Sequence, residues 1–265
     1  MMVTIGLYMR RSQRFLRRWA ANPRVHALLQ GGGYFLAGFF ASAASLGNRL
    51  QPIALGLLCA QTGWPAVLAA VGSMIGYLLF WGSQGPVGVV WTSMGLGAAL
   101  LLQGRRIQQE TPLLMPAIAA LITAGAGLLF QYYQQVGPPI GMYLLQIGMA
   151  AGSAAVFCTA VQRRDAVVEW LVYGLSVLCL AQVMPVPYLG FGFIAAGVFA
   201  ITAPFPAVAL AGLALDLAQV TPVPMTAVLC LAYFVRMIPR LSTVFKYFGP
   251  GLVYIGVMSI CDVFD

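Results

Sequence analysis

The chain has 265 residues, 61% of them hydrophobic and only 8% charged, with a formal net charge of +8. A soluble domain carries about 25% charged residues, so an ordinary water-soluble fold is excluded and lipid is the expected solvent. The cations sit in a few clusters between apolar runs, which argues for the positive-inside pattern of a membrane protein and against nucleic acid as a partner.

Residues 1–30 are the only long polar stretch. Arg10, Arg11, Arg14, Arg17 and Arg18 fall within an arc of about 120° at 100° per residue. Tyr8, Met9, Phe15, Leu16 and Trp19 fill the opposite arc. The pattern predicts a basic amphipathic cytoplasmic segment that lies on an anionic leaflet. A solvated basic tail that only fixes topology, or a signal peptide cleaved near Ala41-Ser42-Ala43, are the alternatives.

Residues 31–265 read as one polytopic membrane domain. Gly31-Gly32-Gly33 is expected to be a hinge into the first span. Two short apolar runs follow, 34–46 and 53–62, with the polar break Gly47-Asn48-Arg49-Leu50-Gln51-Pro52 between them. Each is near the lower limit for crossing a bilayer, so they either span or form a re-entrant pair. Further spans are expected near 64–81, 87–102, 113–132, 140–161 and 166–184. A second compressed pair, 188–202 and 205–220, hinges at Pro204 and Pro206, and spans near 223–238 and 252–264 complete the chain. The predicted fold class is an all-α polytopic transmembrane helical bundle of about 9–11 spans, short or broken helices included.

With the N-terminus in the cytoplasm, Arg105-Arg106, Arg163-Arg164 and the loop carrying Arg236, Arg240 and Lys246 all fall inside, and Arg49 alone falls outside or at membrane depth. The expected location is a bacterial cytoplasmic membrane. The sequence Gly72-Ser73-Met74-Ile75-Gly76 offers a small face for close helix packing, within the chain or in self-association.

Few residues can carry chemistry. Glu110 and Asp165 lie beside the Arg pairs, and Glu169 begins a span. Asp216 lies inside an apolar segment, where an ionisable group is a functional candidate. It is expected to bind a proton or cation, to pair with Arg49 or Arg236, or to reach the outer interface near Gln219. Arg49 and Asp216 are thus the candidate intramembrane polar residues. Cys59, Cys158, Cys179, Cys230 and Cys261 form no C-x-x-C pair and read as structural thiols. His26 is the only histidine, so neither a hydrolytic triad nor a zinc site is assembled, and no phosphate-binding loop is present. No catalytic residue, cofactor-binding residue or metal ligand is assigned.

Residues 33–82 resemble the start of the membrane region of the stage II sporulation protein E family. Leu50-Gln51-Pro52-Ile53-Ala54 stands where that family has a Leu-x-Pro-[FI]-[GA] motif, with Ile53 and Ala54 in place of the usual Phe and Gly. Ala69-Ala70-Val71-Gly72-Ser73-Met74-Ile75-Gly76-Tyr77 resembles its third helix. Residues 188–212 resemble its Gly- and Ala-rich pair, 225–246 its helix and basic turn, and 252–259 its next span. The resemblance implies an anchor and localisation domain for a PP2C-like serine/threonine phosphatase that uses divalent metal. That phosphatase dephosphorylates an anti-anti-sigma factor, activates a forespore sigma factor, and associates with the tubulin-like division protein at the septum. No catalytic domain lies in these residues. The alternative is a small-solute transporter, or the substrate-binding membrane subunit of a vitamin importer.

If the Arg236–Lys246 loop is cytoplasmic, residues 252–264 cross outward. At least one further span of about 20 residues is then expected after Asp265 before any cytosolic domain. A peptide of residues 1–30 should become helical on anionic vesicles, as followed by circular dichroism. Reversing Arg14 and Arg17 to Glu should abolish that gain, and an unchanged spectrum would remove the surface-helix reading.

Overall fold

A computed structural model describes residues 23–102, 111, 113–134, 139–163, 165–184, 190–221, 223–238, 249, 252–253, 256–257 and 259. Among these residues the fold is all-α apart from one small hairpin. Helix α1 (Pro23–Ala41) starts with proline at its first position, where no N–H is needed. It runs unbroken through Gly31, Gly32 and Gly33, so these residues are not a hinge. The backbone hydrogen-bond ladder outweighs a cost of about 1 kcal/mol per glycine.

The polar break after α1 folds into β1 (Ser45–Leu46) and β2 (Arg49–Leu50), paired antiparallel with Ser45 opposite Leu50 and Leu46 opposite Arg49. Gly47 and Asn48 both have positive φ, +57° and +56°. That is the backbone of a two-residue type I′ turn, which matches the twist of the strands and which Gly and Asn tolerate best. Helix α2 (Ile53–Cys59) is seven residues long, about 10 Å by its rise. Every residue of it except Leu57 is buried. The apolar run 53–62 is therefore a short inserted helix and not a full-length one.

The remaining helices match the apolar runs closely. They are α3 (Trp64–Trp81), α4 (Gly85–Leu101), α5 (Leu114–Gln134), α6 (Ile140–Gln162), α7 (Ala166–Leu180), α8 (Phe191–Thr202), α9 (Phe205–Ala218) and α10 (Met225–Met237). A 3-10 turn, Gly82–Gln84, separates α3 from α4. Asp165 precedes α7 as its N-cap, with Oδ1 accepting from Val167 N at 3.1 Å. Asp165, beside the Arg pair in the sequence, thus serves as a helix cap. Two stretches, Trp64–Leu101 and Ile140–Gln162, are long and apolar enough to cross a membrane. The first folds back at Gly85, which packs on the carbonyl of Tyr77.

Small residues fix the helix directions. A side chain at Gly38 would collide with the Ala69 carbonyl, one at Gly72 with the Phe35 carbonyl, and one at Gly76 with Ser42 and the Phe39 carbonyl. Contacts that advance together along both chains mean that α1 and α3 run parallel. The intervening segment, 42–63, therefore travels the length of α3 in the opposite sense. Leu50 meets Gln146, Gly56 meets Ser153, and the Cys59 carbonyl meets Cys158, so α2 runs parallel to α6.

The second half repeats this order. Gly174 of α7 faces Leu210 of α9, Gly192 of α8 packs on Ala181 just after α7, and Gly212 of α9 packs on Thr226 of α10. Arg236 of α10 reaches the carbonyls of Ala200 and Ala203 at the end of α8. Each half thus runs out, back, out and back, α1–α4 and α7–α10. Only the first has a distinctly short returning helix: α2 has seven residues, whereas α7, α8, α9 and α10 have 15, 12, 14 and 13. Residues 205–218 correspond to α3 rather than to α2, so the two compressed pairs seen in the sequence are not equivalent to each other. Helices α5 and α6 stand between the halves and pack on α2.

The interior mixes many alanines with a few large side chains, Trp91, Tyr77, Ile53, Leu55, Leu58 and Leu215. Ala43, Ala44, Ala66, Ala69, Ala70, Ala119, Ala126, Ala150, Ala154, Ala196, Ala207 and Ala211 are fully buried, whereas Leu79, Leu101, Leu121 and Ile140 are 68–75% exposed. Gly38→Ala or Gly72→Ala should cost about 1–3 kcal/mol by overpacking. Gly97→Ala, whose site is open, should cost nothing measurable. Thermal unfolding of the detergent-purified variants checks this, and equal midpoints for Gly72→Ala and Gly97→Ala would refute the close α1–α3 contact.

Candidate functional site

The segment between α1 and α2 carries polar backbone among the helices, and side chains of α3 and α6 and of Gln182, two residues after α7, answer it. Trp81 Nε1 donates to the Ser42 carbonyl at 2.8 Å, and Tyr77 Oη donates to the Gln51 carbonyl at 3.2 Å. Gln146 Nε2 donates to the Leu50 carbonyl at 3.0 Å, and Gln182 Nε2 donates to Ser45 Oγ at 2.7 Å. Gly47 N donates to the Leu217 carbonyl of α9 at 3.0 Å, joining the hairpin to the second half. Buried backbone groups must find such partners, because each unpaired one costs about 1–3 kcal/mol. Ser42, Ser45 and Gln51 are themselves buried. Tyr77 stands at the centre, with its ring edge-on to Trp91 at 6.4 Å between centroids.

Asp216 is in the last turn of α9, at the hairpin end. Its Oδ1 accepts from Met225 N at 2.5 Å, and its Oδ2 accepts from Thr226 N at 3.0 Å and Thr226 Oγ1 at 2.5 Å. The carboxylate therefore caps the N-terminus of α10, where orphan N–H groups and the helix dipole favour negative charge. Among the described residues it pairs with neither Arg49 nor Arg236. Gln219, with φ +54°, ends α9 in the left-handed conformation and turns the chain back so that the cap can form.

Arg49 is exposed on β2 at the same end of the molecule as Asp216. Arg236 lies at the opposite end, where Nη1 donates to the Ala203 and Ala200 carbonyls at 3.3 and 3.4 Å and the guanidinium sits 5.7 Å from the Tyr233 ring centre. Arg163 closes α6 at that opposite end too. The structure thus does not bring the candidate charges together, and each serves its own helix end or loop. Arg10, Arg11, Arg14, Arg17, Arg18, Glu110 and Cys261 lie outside the described residues. Cys59, Cys158, Cys179 and Cys230 are free thiols, and Cys158 Sγ donates to the Cys59 carbonyl at 3.6 Å.

Sequence reasoning missed the uncharged partners Ser42, Gln51, Tyr77, Trp81, Gln146 and Gln182. The available signal was three glutamines inside or beside apolar runs, since an amide there needs a partner. No protein-family model, curated protein or solved structure matches the chain.

Asp216→Ala should lower stability by about 1–2 kcal/mol through loss of the cap. Asp216→Asn, which keeps an acceptor, should lose less. Unfolding midpoints in detergent give the order, and equal loss for the two variants would show that the cap is not what Asp216 contributes.

Proposed function

We propose that the chain is a multi-pass domain of a bacterial cytoplasmic membrane that anchors and localises, as the membrane region of stage II sporulation protein E does. The observation that supports the membrane reading is the combination of close helix contacts at alanine and glycine with many large apolar side chains, Leu79, Leu101, Leu121 and Ile140 among them, facing outward, although Trp91, Tyr77, Leu55, Leu58 and Leu215 are buried. Small residues at helix contacts are how helices associate in lipid. Orientation follows from charge. Arg163 and Arg236 share one end, and in the sequence Arg105-Arg106 follow α4 and Arg240 and Lys246 follow α10. That end is read as cytoplasmic, and the hairpin end as external. Support for anchoring over transport comes from Asp216, whose three hydrogen bonds go to the start of α10 and not to a cavity.

On this reading the lipid bilayer is the principal partner, with self-association and the tubulin-like division protein as further ones. The sporulation phosphatase activity, with its divalent metal, belongs to a domain outside these residues. Small-solute transport is the second reading. It is favoured by the short inserted helix α2 and by the matching out-and-back order of the two halves, since transporters are often built from repeats with broken helices.

A fluorescent protein fused to this chain in a sporulating bacterium should collect at the asymmetric septum, and should disperse when the tubulin-like protein is depleted. Even distribution over the membrane would overturn localisation. Proton- or ion-coupled uptake by liposomes that Asp216→Asn abolishes would favour transport instead.

A further inference from the structure

A cavity of about 300 Å³ opens at the hairpin end, lined by Asn48, Phe80, Trp81, Ser83, Gln84 and Gln182. Its size is at the lower limit of small-ligand sites, about 300–1,000 Å³. Its chemistry is unusual for this protein. The lining holds three amides, a hydroxyl and two aromatic rings, and no charged side chain.

The walls are held in place before any ligand arrives. Asn48 is at the left-handed tip of the turn, and the hairpin bearing it is tied to α9 through Gly47. Trp81 is fixed by its hydrogen bond to Ser42, and Phe80 by its ring contact with Phe39 at 5.0 Å. Gln182 is fixed through its Nε2, which leaves Oε1 to accept. Among the described residues the side chains of Asn48, Ser83 and Gln84 make no hydrogen bond within the protein, so their donors and acceptors are available to a ligand.

We propose that this cavity binds a neutral saccharide. A sugar ring offers hydroxyls that match paired amide donors and acceptors, and an apolar C–H face that rests on an aromatic ring. An anionic headgroup or phosphate would find no cation in the lining, and a wholly apolar ligand would leave the amides unpaired. Since the walls are pre-set, little ordering cost opposes binding. On the orientation proposed above the cavity faces outward, where both wall glycan and glycolipid headgroups are present. The binding itself does not rest on that orientation.

The test uses the whole chain in nanodiscs, with two probes: free N,N′-diacetylchitobiose, and diglucosyldiacylglycerol incorporated in the disc. Saturation-transfer NMR reads the first, and native mass spectrometry reads retention of the second. Binding of the free disaccharide assigns the site to a soluble or wall glycan, and retention of the glycolipid alone assigns it to a lipid headgroup. Either should weaken about fivefold or more in Gln84→Ala, and further in the double variant Asn48→Gly, Gln84→Ala, in which glycine keeps the left-handed turn, as expected for lost hydrogen bonds. Both residues are exposed, so the fold should survive, and an unchanged unfolding midpoint verifies it. Binding of neither probe, equal binding of glucuronate, or binding indifferent to both variants would overturn the proposal.

Discussion

The whole arrangement depends on one constraint: a stretch of non-helical backbone, residues 42–52, lies inside a helical protein, and its polar groups must be satisfied there. A helix satisfies its own backbone. A two-residue hairpin and its flanks do not, so the shortfall is met by Trp81 and Tyr77 of α3 and Gln146 of α6, while Gln182, two residues after α7, bonds the Ser45 hydroxyl. These four side chains come from both halves of the chain. The hairpin is thereby the point at which the halves are joined, and Gly47 bonded to Leu217 adds a backbone link at the same place.

Close packing of small residues is the complementary requirement. Segment 42–63 can pass through the centre only if α1 and α3 leave room, which they do by meeting at Gly38, Gly72 and Gly76. Gly56 of α2 lets that short helix lie against Ser153 and Ala154, and Gly95 of α4 accepts Leu55. Such close approach gains dispersion energy over many contacts, and on the proposed membrane reading this takes the place of the hydrophobic effect between helices.

Much of this was legible in the sequence. The apolar runs between 64 and 238 gave helix positions to within a few residues, because Gly and Pro punctuate them and composition left no competing fold; the run 252–264 lies largely outside the described residues. The start of α1 was not legible, since Gly31-Gly32-Gly33 has poor intrinsic propensity and only tertiary context carries the helix through it. The hairpin was also hidden. Gly47-Asn48 reverses the usual Asn-Gly order, and two-residue strands have no alternation to detect. Asp216 was recognised as unusual for its setting, but its partners lie nine and ten residues on, beyond a turn that hydropathy does not describe. The parallel course of α1 and α3, and the matching course of α7 and α9, are properties of neighbours and not of periodicity, so only the fold reveals them.

The brevity of α2 bears on how the protein is made. Seven apolar residues, about 10 Å of helix, are far below the roughly 20 that insert as an independent span. The segment from 42 to 63 must therefore wait, polar groups and all, until its surroundings exist. Tyr77 and Trp81 emerge soon after it, but Gln146 and Gln182 belong to helices synthesised about a hundred residues later. At the usual pace of about 5–20 residues per second that is a delay of several seconds. During that interval the first four helices hold an incomplete centre, its polar groups still without the partners that Gln146 and Gln182 later supply.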